Sequence, residues 1–311
     1  MRTNRKMTAG RVRTAVIEAL EQRHVLSAST VAFESVADNL EVADMNVETL
    51  GLIPEDLTVA GDLVFFTADD GVHGRELWRS DGTSNGTYLV ADIVEGPEDS
   101  FSVHSGQRTV AFGESLFFVV ENDEGGDELW KTDGTAGNAE LVQALPAPPS
   151  EMLAVNDQLF MGIGNSLWVS DGTPAGTTEQ KALIHAPTEL TAVGDSLFFA
   201  ASELWTSDGT GAGTVMVKNV RARDLASMDG TLYFAGGMER IDNGVELWKS
   251  DGTADGTVEV KDIAPGDNTV GPAGPRSSRP TDFTLVDGIR ILSVSCIESG
   301  NQQGQVVQII R

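Results

Sequence analysis

All five tryptophans of the 311-residue chain fall in one recurring eight-residue phrase, the copies stand about 42 residues apart, and a short apolar strand-turn-strand pattern precedes each copy. One four-stranded propeller blade takes about 40 to 50 residues. These observations predict an all-β fold: a six-bladed β-propeller of four-stranded antiparallel blades, the last one divergent and completed by a strand from the N-terminal region. Three segments follow from this reading, namely a basic export or sorting segment at 1–29, a linker with a possible ring-closing strand at 30–56, and the propeller repeat domain at 57–311.

The N-terminal segment is set apart by charge. Residues 1 to 23 hold Arg2, Arg5, Lys6, Arg11, Arg13 and Arg23 against Glu18 and Glu21, a net of +4 in a chain of net −26. A basic leader ahead of an acidic body is the pattern of a targeting segment. Its apolar stretch, Ala15-Val16-Ile17, is cut by Glu18 and falls short of the roughly 7 to 15 residues of a secretory core. Arg11 to Leu26 reads as an amphipathic helix. In the linker, Thr30 to Val36 and Asn46 to Leu52 alternate apolar and polar residues, and either could supply the ring-closing strand.

In each blade the a and b strands come first: Leu57 to Phe66, Val110 to Phe118, Met152 to Met161, Leu190 to Phe199 and Leu225 to Phe234. Their turns are Gly61-Asp62, Gly113-Glu114, Asn156-Asp157, Gly194-Asp195 and Asp229-Gly230, residue pairs that accept positive φ in a tight hairpin. Strand b is apolar on both faces, as a strand between two neighbouring sheets should be. Strand c carries the phrase itself, at Glu76 to Thr83, Glu128 to Thr135, Ser166 to Thr173, Glu203 to Thr210 and Glu246 to Thr253. Its recurring structural residues are Trp78, Asp81 and Gly82; Trp130, Asp133 and Gly134; Trp168, Asp171 and Gly172; Trp205, Asp208 and Gly209; and Trp248, Asp251 and Gly252.

The Asp-Gly-Thr turn leads into strand d, as in Tyr88 to Ile93. Its aspartate is expected to accept backbone N–H groups two residues on, while Gly82 and the second glycine, Gly86, take left-handed conformations. The second copy reads Gly137-Asn138-Ala139 and should form a looser hairpin. Gly209 to Gly213 imitates a phosphate-cradling loop, but it is the fourth copy of this turn and no helix follows it.

The sixth copy has strand a at Phe283 to Val286, strand b at Ile289 to Cys296 and strand c at Gln305 to Ile310, with Val306-Val307 in place of Leu-Trp. Pro146 to Pro149 and Pro272 to Pro280 read as extended surface linkers. Cys296 stands alone and, beside Leu292 and Val294, reads as an inert buried thiol. None of His24, His73, His104 and His185 has local metal-ligand spacing.

The five Leu-Trp phrases resemble the ELWxxDGT repeat, a hyalin-like repeat of exported bacterial proteins. Ser166 replaces Glu in the third copy, and the sixth has no DGT. Leu20 to Ser27 (LEQRHVLS) is similar to the planctomycete-type LEPR-XLL segment, with Gln22 for Pro and Val25 for Leu. The resemblance implies an exported protein of periplasm, cell surface or extracellular space, and no established activity.

Composition narrows the partners. With 47 acidic against 21 basic residues, the field repels phosphates and argues against nucleic acid. No apolar run approaches the 18 residues of a membrane helix, so no membrane insertion is expected. A protein or polysaccharide of the cell surface is the expected partner, and a non-enzymatic structural or binding role (adhesion or scaffold) the expected function. Each Trp most economically packs blade against blade, with sugar stacking as the alternative. Long acidic loops between strands b and c offer Asp69, Asp70, Asp123 and Glu124 as weak Ca²⁺ ligands, and no other cofactor is expected. The competing reading is a glycan-acting hydrolase. Of the two tyrosines that could serve as its nucleophile, Tyr88 sits in an outer strand and Tyr233 fills strand b.

Overall fold

The computed structural model describes residues 54–101, 108–121, 126–238, 241–263, 278, 280–286, 289–298 and 302–310. The basic segment, both candidate ring-closing strands, Asp123 and Glu124 lie outside them. Every regular element among the described residues is a β-strand, and every strand pairing is antiparallel.

The first sheet is β1 (Glu55–Ala60), β2 (Leu63–Asp69), β3 (Arg75–Ser80) and β4 (Tyr88–Ala91), in that spatial order. The second repeats it with β5 (Thr109–Phe112), β6 (Ser115–Glu121), β7 (Asp127–Thr132) and β8 (Ala139–Leu145). The third holds β9 (Pro149–Val155), β10 (Gln158–Ile163), β11 (Ser166–Ser170) and β12 (Thr178–Ala182). In the fourth, β13 (Thr188–Val193), β14 (Ser196–Ala201) and β15 (Glu203–Ser207) end on β16 (Val215–Met228). The fifth begins on that same β16 and continues through β17 (Thr231–Met238), β18 (Ile241–Ser250) and β19 (Val258–Lys261). A three-stranded sheet of β20 (Pro280–Val286), β21 (Ile289–Glu298) and β22 (Gln302–Ile310) follows.

The first strands of successive sheets are neighbours: β1 with β5, β5 with β9, β9 with β13, β13 with β16, and β16 with β20. Sheets therefore stack side by side around their inner strands, the order of a propeller. Apolar seams fill the gaps. Strand b alternates its large residues between two seams: Phe65, Phe117, Phe160 and Phe198 face the following sheet, and Phe118, Met161, Phe199 and Phe234 the preceding one. Each of these is at most 3% exposed, which is why strand b is apolar throughout.

Three details depart from the sequence reading. The fourth and fifth sheets share one continuous strand, because the chain runs from strand d straight into the next strand a. Pro149 and Pro280 are not linker residues. Each begins a strand and is buried, a place where the missing N–H removes no ladder bond. In the last sheet, Leu292 faces Gln308 and Ser293 faces Val307, where the first sheet pairs Phe66 with Trp78 and Thr67 with Leu77. Val307 thus holds the Leu position and Gln308 the Trp position, one residue on from the expected Val306-Val307. A one-residue slip exchanges the two faces of a strand, so the distinction matters. Cys296, in β21, sits opposite Gly304.

Candidate functional site

The repeat residues close the turns between strands c and d. In the first copy, Asp81 Oδ1 accepts the Thr83 N–H at 2.9 Å and the Thr83 hydroxyl at 2.7 Å. Thr83 Oγ1 accepts the Gly86 N–H, Thr87 donates its hydroxyl to the Thr83 carbonyl, and the Ser80 and Thr87 hydroxyls lie 2.7 Å apart. The third, fourth and fifth copies repeat this network around Asp171, Asp208 and Asp251. The threonine holds each aspartate below the ordinary carboxylate range, chiefly through its hydroxyl at Asp81 and Asp171 and chiefly through its N–H at Asp208 and Asp251.

Gly82 has the expected left-handed conformation, at φ +86°, but Gly86 does not. The second glycine is required for another reason: a Cβ on Gly86, Gly176, Gly213 or Gly256 would overlap the carboxylate of Asp81, Asp171, Asp208 or Asp251. The second copy, expected to be looser, uses other bonds. Thr135 N–H and the Asn138 side chain both reach Asp133, and the Asn138 N–H donates to the Thr135 carbonyl at 3.0 Å.

The tryptophans sit at the seams. Trp130, Trp168, Trp205 and Trp248 each pack against the cluster shared with the preceding sheet, while the adjoining Leu77, Leu129, Leu167 and Leu204 face the following one. The leucines are fully buried. All five tryptophans are only half-buried, so each indole keeps an outward part.

Two roles for acidic residues escaped the sequence reading. Glu76 and Glu246, the first residues of their phrases, are 0% exposed. Glu76 accepts the Ile93 N–H at 3.3 Å, the Ser100 N–H at 3.1 Å and the Ser100 hydroxyl at 2.5 Å. Glu246 likewise accepts the N–H groups of Ile263 and Ser278, both at 2.9 Å. Each carboxylate ties the segment after strand d to the middle of its own sheet. Burial pushes both up, Glu76 to about 7, against their hydrogen bonds. Asp92 and Asp262 add to the rise, and each keeps a buried Oδ1 without a hydrogen-bond partner.

The second role is on the inner strands. Five residues before the first residue of each a-b turn stand Asp56, Arg108, Glu151, Glu189 and Asp224. Asp56, Glu189 and Asp224 have φ of +53°, +57° and +52°, each at a break in strand register. Such a bulge withdraws backbone groups from the ladder. The neighbouring sheet supplies replacements: Glu151 accepts the Glu189 and Leu190 N–H groups at 2.9 and 2.8 Å, and Glu189 accepts the Leu225 N–H at 2.8 Å. Burial raises Glu189, Leu225 opposes it, and the charges of Asp224 and Glu151 add to it. The signal is an acid at a constant distance from the turn in four blades, with Arg108 in its place in the second.

Of the calcium candidates, Asp69 and Asp70 are described. Asp69 Oδ1 accepts the Gly71 N–H at 2.7 Å. Asp70 Oδ1 accepts the Val72 and His73 N–H groups, both at 2.9 Å, and its Oδ2 lies 2.7 Å from His73 Nδ1. Among the described residues, no group of three or more His, Cys, Asp or Glu is placed to hold a metal. Tyr88 donates to the Gly134 carbonyl at 3.0 Å with Arg79 4.5 Å over its ring, and Tyr233 is 7% exposed in β17.

A cleft of about 550 Å³ opens at the seam of the fourth and fifth sheets. Trp248 and Val220 line it together with Glu203, Lys218, Asn219, Arg221 and Glu259.

No protein-family model and no curated protein matches the chain. Among solved structures it is similar to a computationally designed protein, Ika8, at 12% identity and TM-score 0.46, over 82% of this chain and 70% of that one. The GH74 xyloglucanase from Xanthomonas campestris is similar at 16% identity and TM-score 0.42, over 79% of this chain and 41% of the enzyme. The N-terminal domain of Nup159 is similar at 14% identity and TM-score 0.39, over 79% of this chain and 70% of that domain. Likeness of this degree assigns the chain to no family and to no activity.

Proposed function

We propose that the chain is an exported, envelope-associated six-bladed β-propeller that works as a non-enzymatic binding or scaffold module toward a protein or polysaccharide of the cell surface. One observation carries the reading: the residue types that suggested chemistry in the sequence are consumed by folding. The turn aspartates bond their own loops, Glu76 and Glu246 bond the segments after strand d, and Glu151 and Glu189 bond the next sheet's bulge. Export rests on the ELWxxDGT and LEPR-XLL resemblances. The reading assigns no cofactor.

Ring closure belongs to the same proposal. Val64, Phe66, Ala68 and Trp78 occupy, in the first sheet, the positions that face the preceding sheet elsewhere, and Val64, Phe66 and Ala68 are at most 7% exposed. Such a face needs a covering layer. The three-stranded β20-β21-β22 sheet, with a fourth strand from 30–36 or 46–52, would supply it and remove the open edges.

Two measurements test the function. Tagged chains with and without residues 1–29 are fractionated; export of the full chain alone is expected, and cytoplasmic retention of both overturns the address. The purified chain is then incubated with a panel of insoluble and soluble polysaccharides. Depletion onto one of them without release of reducing ends is expected, and release of reducing ends overturns the non-enzymatic reading in favour of a glycan hydrolase.

A further inference from the structure

The seam between the fourth and fifth sheets differs from the others in how the chain crosses it. Residues outside any strand separate β4 from β5, β8 from β9 and β12 from β13, whereas β16 passes from one sheet into the other without interruption. Lys218, Asn219, Val220 and Arg221 lie at that crossing, and the chain leaves no connecting loop above them. The cleft opens at this place, with Trp248 in its lining.

Its lining is a mixed one. Phe234 lies beside the Trp248 indole, with ring centroids 6.2 Å apart, so the indole has a rigid apolar neighbour in its own sheet. Lys218 Nζ donates to the Ala254 and Thr257 carbonyls at 2.9 and 3.0 Å, which commits its ammonium to the fifth sheet's own turn. Asn219 and Arg221 are exposed, and Glu203 stands opposite Arg221 across the strand pair. The two carboxylates, Glu203 and Glu259, offset the two cations, Lys218 and Arg221. A volume of about 550 Å³ falls in the range of small-ligand sites, roughly 300 to 1,000 Å³.

We propose that this cleft binds a neutral oligosaccharide, one ring of which lies on Trp248 while its hydroxyls meet Asn219, Arg221 and the two glutamates. An aromatic plate suits the apolar face of a sugar ring, and a planar amide, a guanidinium and carboxylates suit its hydroxyls, which both donate and accept. A polyanion is disfavoured by the field of a chain with net charge −26, and the balanced lining gives no compensating local positive charge. The proposal rests on the binding-module reading and names its ligand class and its site.

The test is calorimetric titration of the full chain with tetrasaccharides of the cello, xylo, manno and chito series. Binding of at least one is expected. The double variant Asn219→Ala/Arg221→Ala, altered only at exposed positions, should bind at least tenfold more weakly with unchanged Tm. Trp248→Phe should weaken binding while still filling the seam, and Trp168→Phe, at another seam, should leave it unchanged. Binding that survives in the double variant overturns this site and leaves the module reading standing. If none of the four series binds the intact chain, the ligand class is wrong. Release of reducing ends would instead overturn the non-enzymatic reading on which the proposal rests.

Discussion

Glu76 offers the sharpest physical test of the fold, because a carboxylate that is 0% exposed titrates where proteins are normally handled. Burial is the largest influence on it and raises its pKa from 4.5 to about 7, with three hydrogen bonds to Ile93 and Ser100 opposing and Asp92 assisting. A carboxylate whose pKa is higher in the folded than in the unfolded chain favours folding in its protonated form. That contribution is complete below about pH 4.5 and is lost as pH rises through 7. The full change corresponds to ~3 kcal/mol, a large part of the 5 to 15 kcal/mol that holds a typical domain together. Glu76→Gln removes the titration. Its amide nitrogen replaces one acceptor with a donor, so the variant should be less stable than the parent at pH 5, by about 1 to 3 kcal/mol. The gap should close or reverse by pH 8, since the parent alone then carries a buried charge. Urea unfolding of both chains at pH 5, 6, 7 and 8 reads this directly. Glu189, Glu246 and Asp127 are pushed in the same direction by burial and remain in both proteins, so the difference between the two curves isolates Glu76. Parallel curves over the whole range would show that Glu76 is not the buried, desolvated group described here.

Four further substitutions separate local causes. Gly176→Ala should cost about 1 to 3 kcal/mol by urea unfolding, because the new Cβ displaces the Asp171 carboxylate, while Gly137→Ala, left-handed but open around its Cβ, should cost about 1 kcal/mol. Equal costs would mean that the second glycine acts through its backbone after all. Glu151→Ala leaves the Glu189 and Leu190 N–H groups without their acceptor and should cost about 1 to 3 kcal/mol for each one that water does not reach, measured by thermal unfolding. Leu204→Ala, in the seam below the fourth phrase, should cost about 2 to 5 kcal/mol in the same assay, and a loss under 1 kcal/mol would contradict its placement between two sheets.

The blades were legible because repetition shows the same local rule several times over. Turn dipeptides, alternating strands and the Trp spacing each pointed to one architecture, and the four-stranded antiparallel sheets are there. Most of what escaped the reading shares a physical reason: it depends on neighbours distant in sequence. The glycines of the DGT turns show this well. Their left-handed φ is a local property and could be anticipated, but Gly134 and Gly172 also lie against Phe65 and Phe117 of the preceding sheet, where a Cβ would come within 2.9 and 3.0 Å of the ring. The last sheet fails locally for a different reason. Without a Trp to mark the register, Val306-Val307 and Val307-Gln308 are equally good candidates for the phrase, and only the ladder decides between them. The cleft beside Trp248 lies where β16 runs on without the connecting residues that the first three sheets have, a feature of two sheets together and not of any one phrase.

The net charge of −26 bears on function through where the acids are used. A bulged inner strand exposes N–H groups, a tight hairpin exposes others, and the segment after strand d exposes more; a carboxylate accepts several such bonds at once with two oxygens. Repeating the blade repeats the need, so acids accumulate with each copy. The cost is that burial works against the ionised form, as at Glu76, Glu189 and Glu246. On the inner strands Glu151 and Glu189 are bound to backbone, and the polar side chains left for the proposed ligand lie where the repeat is broken. The seam at β16 is such a break, and there Asn219 and Arg221 stand exposed beside a half-buried tryptophan.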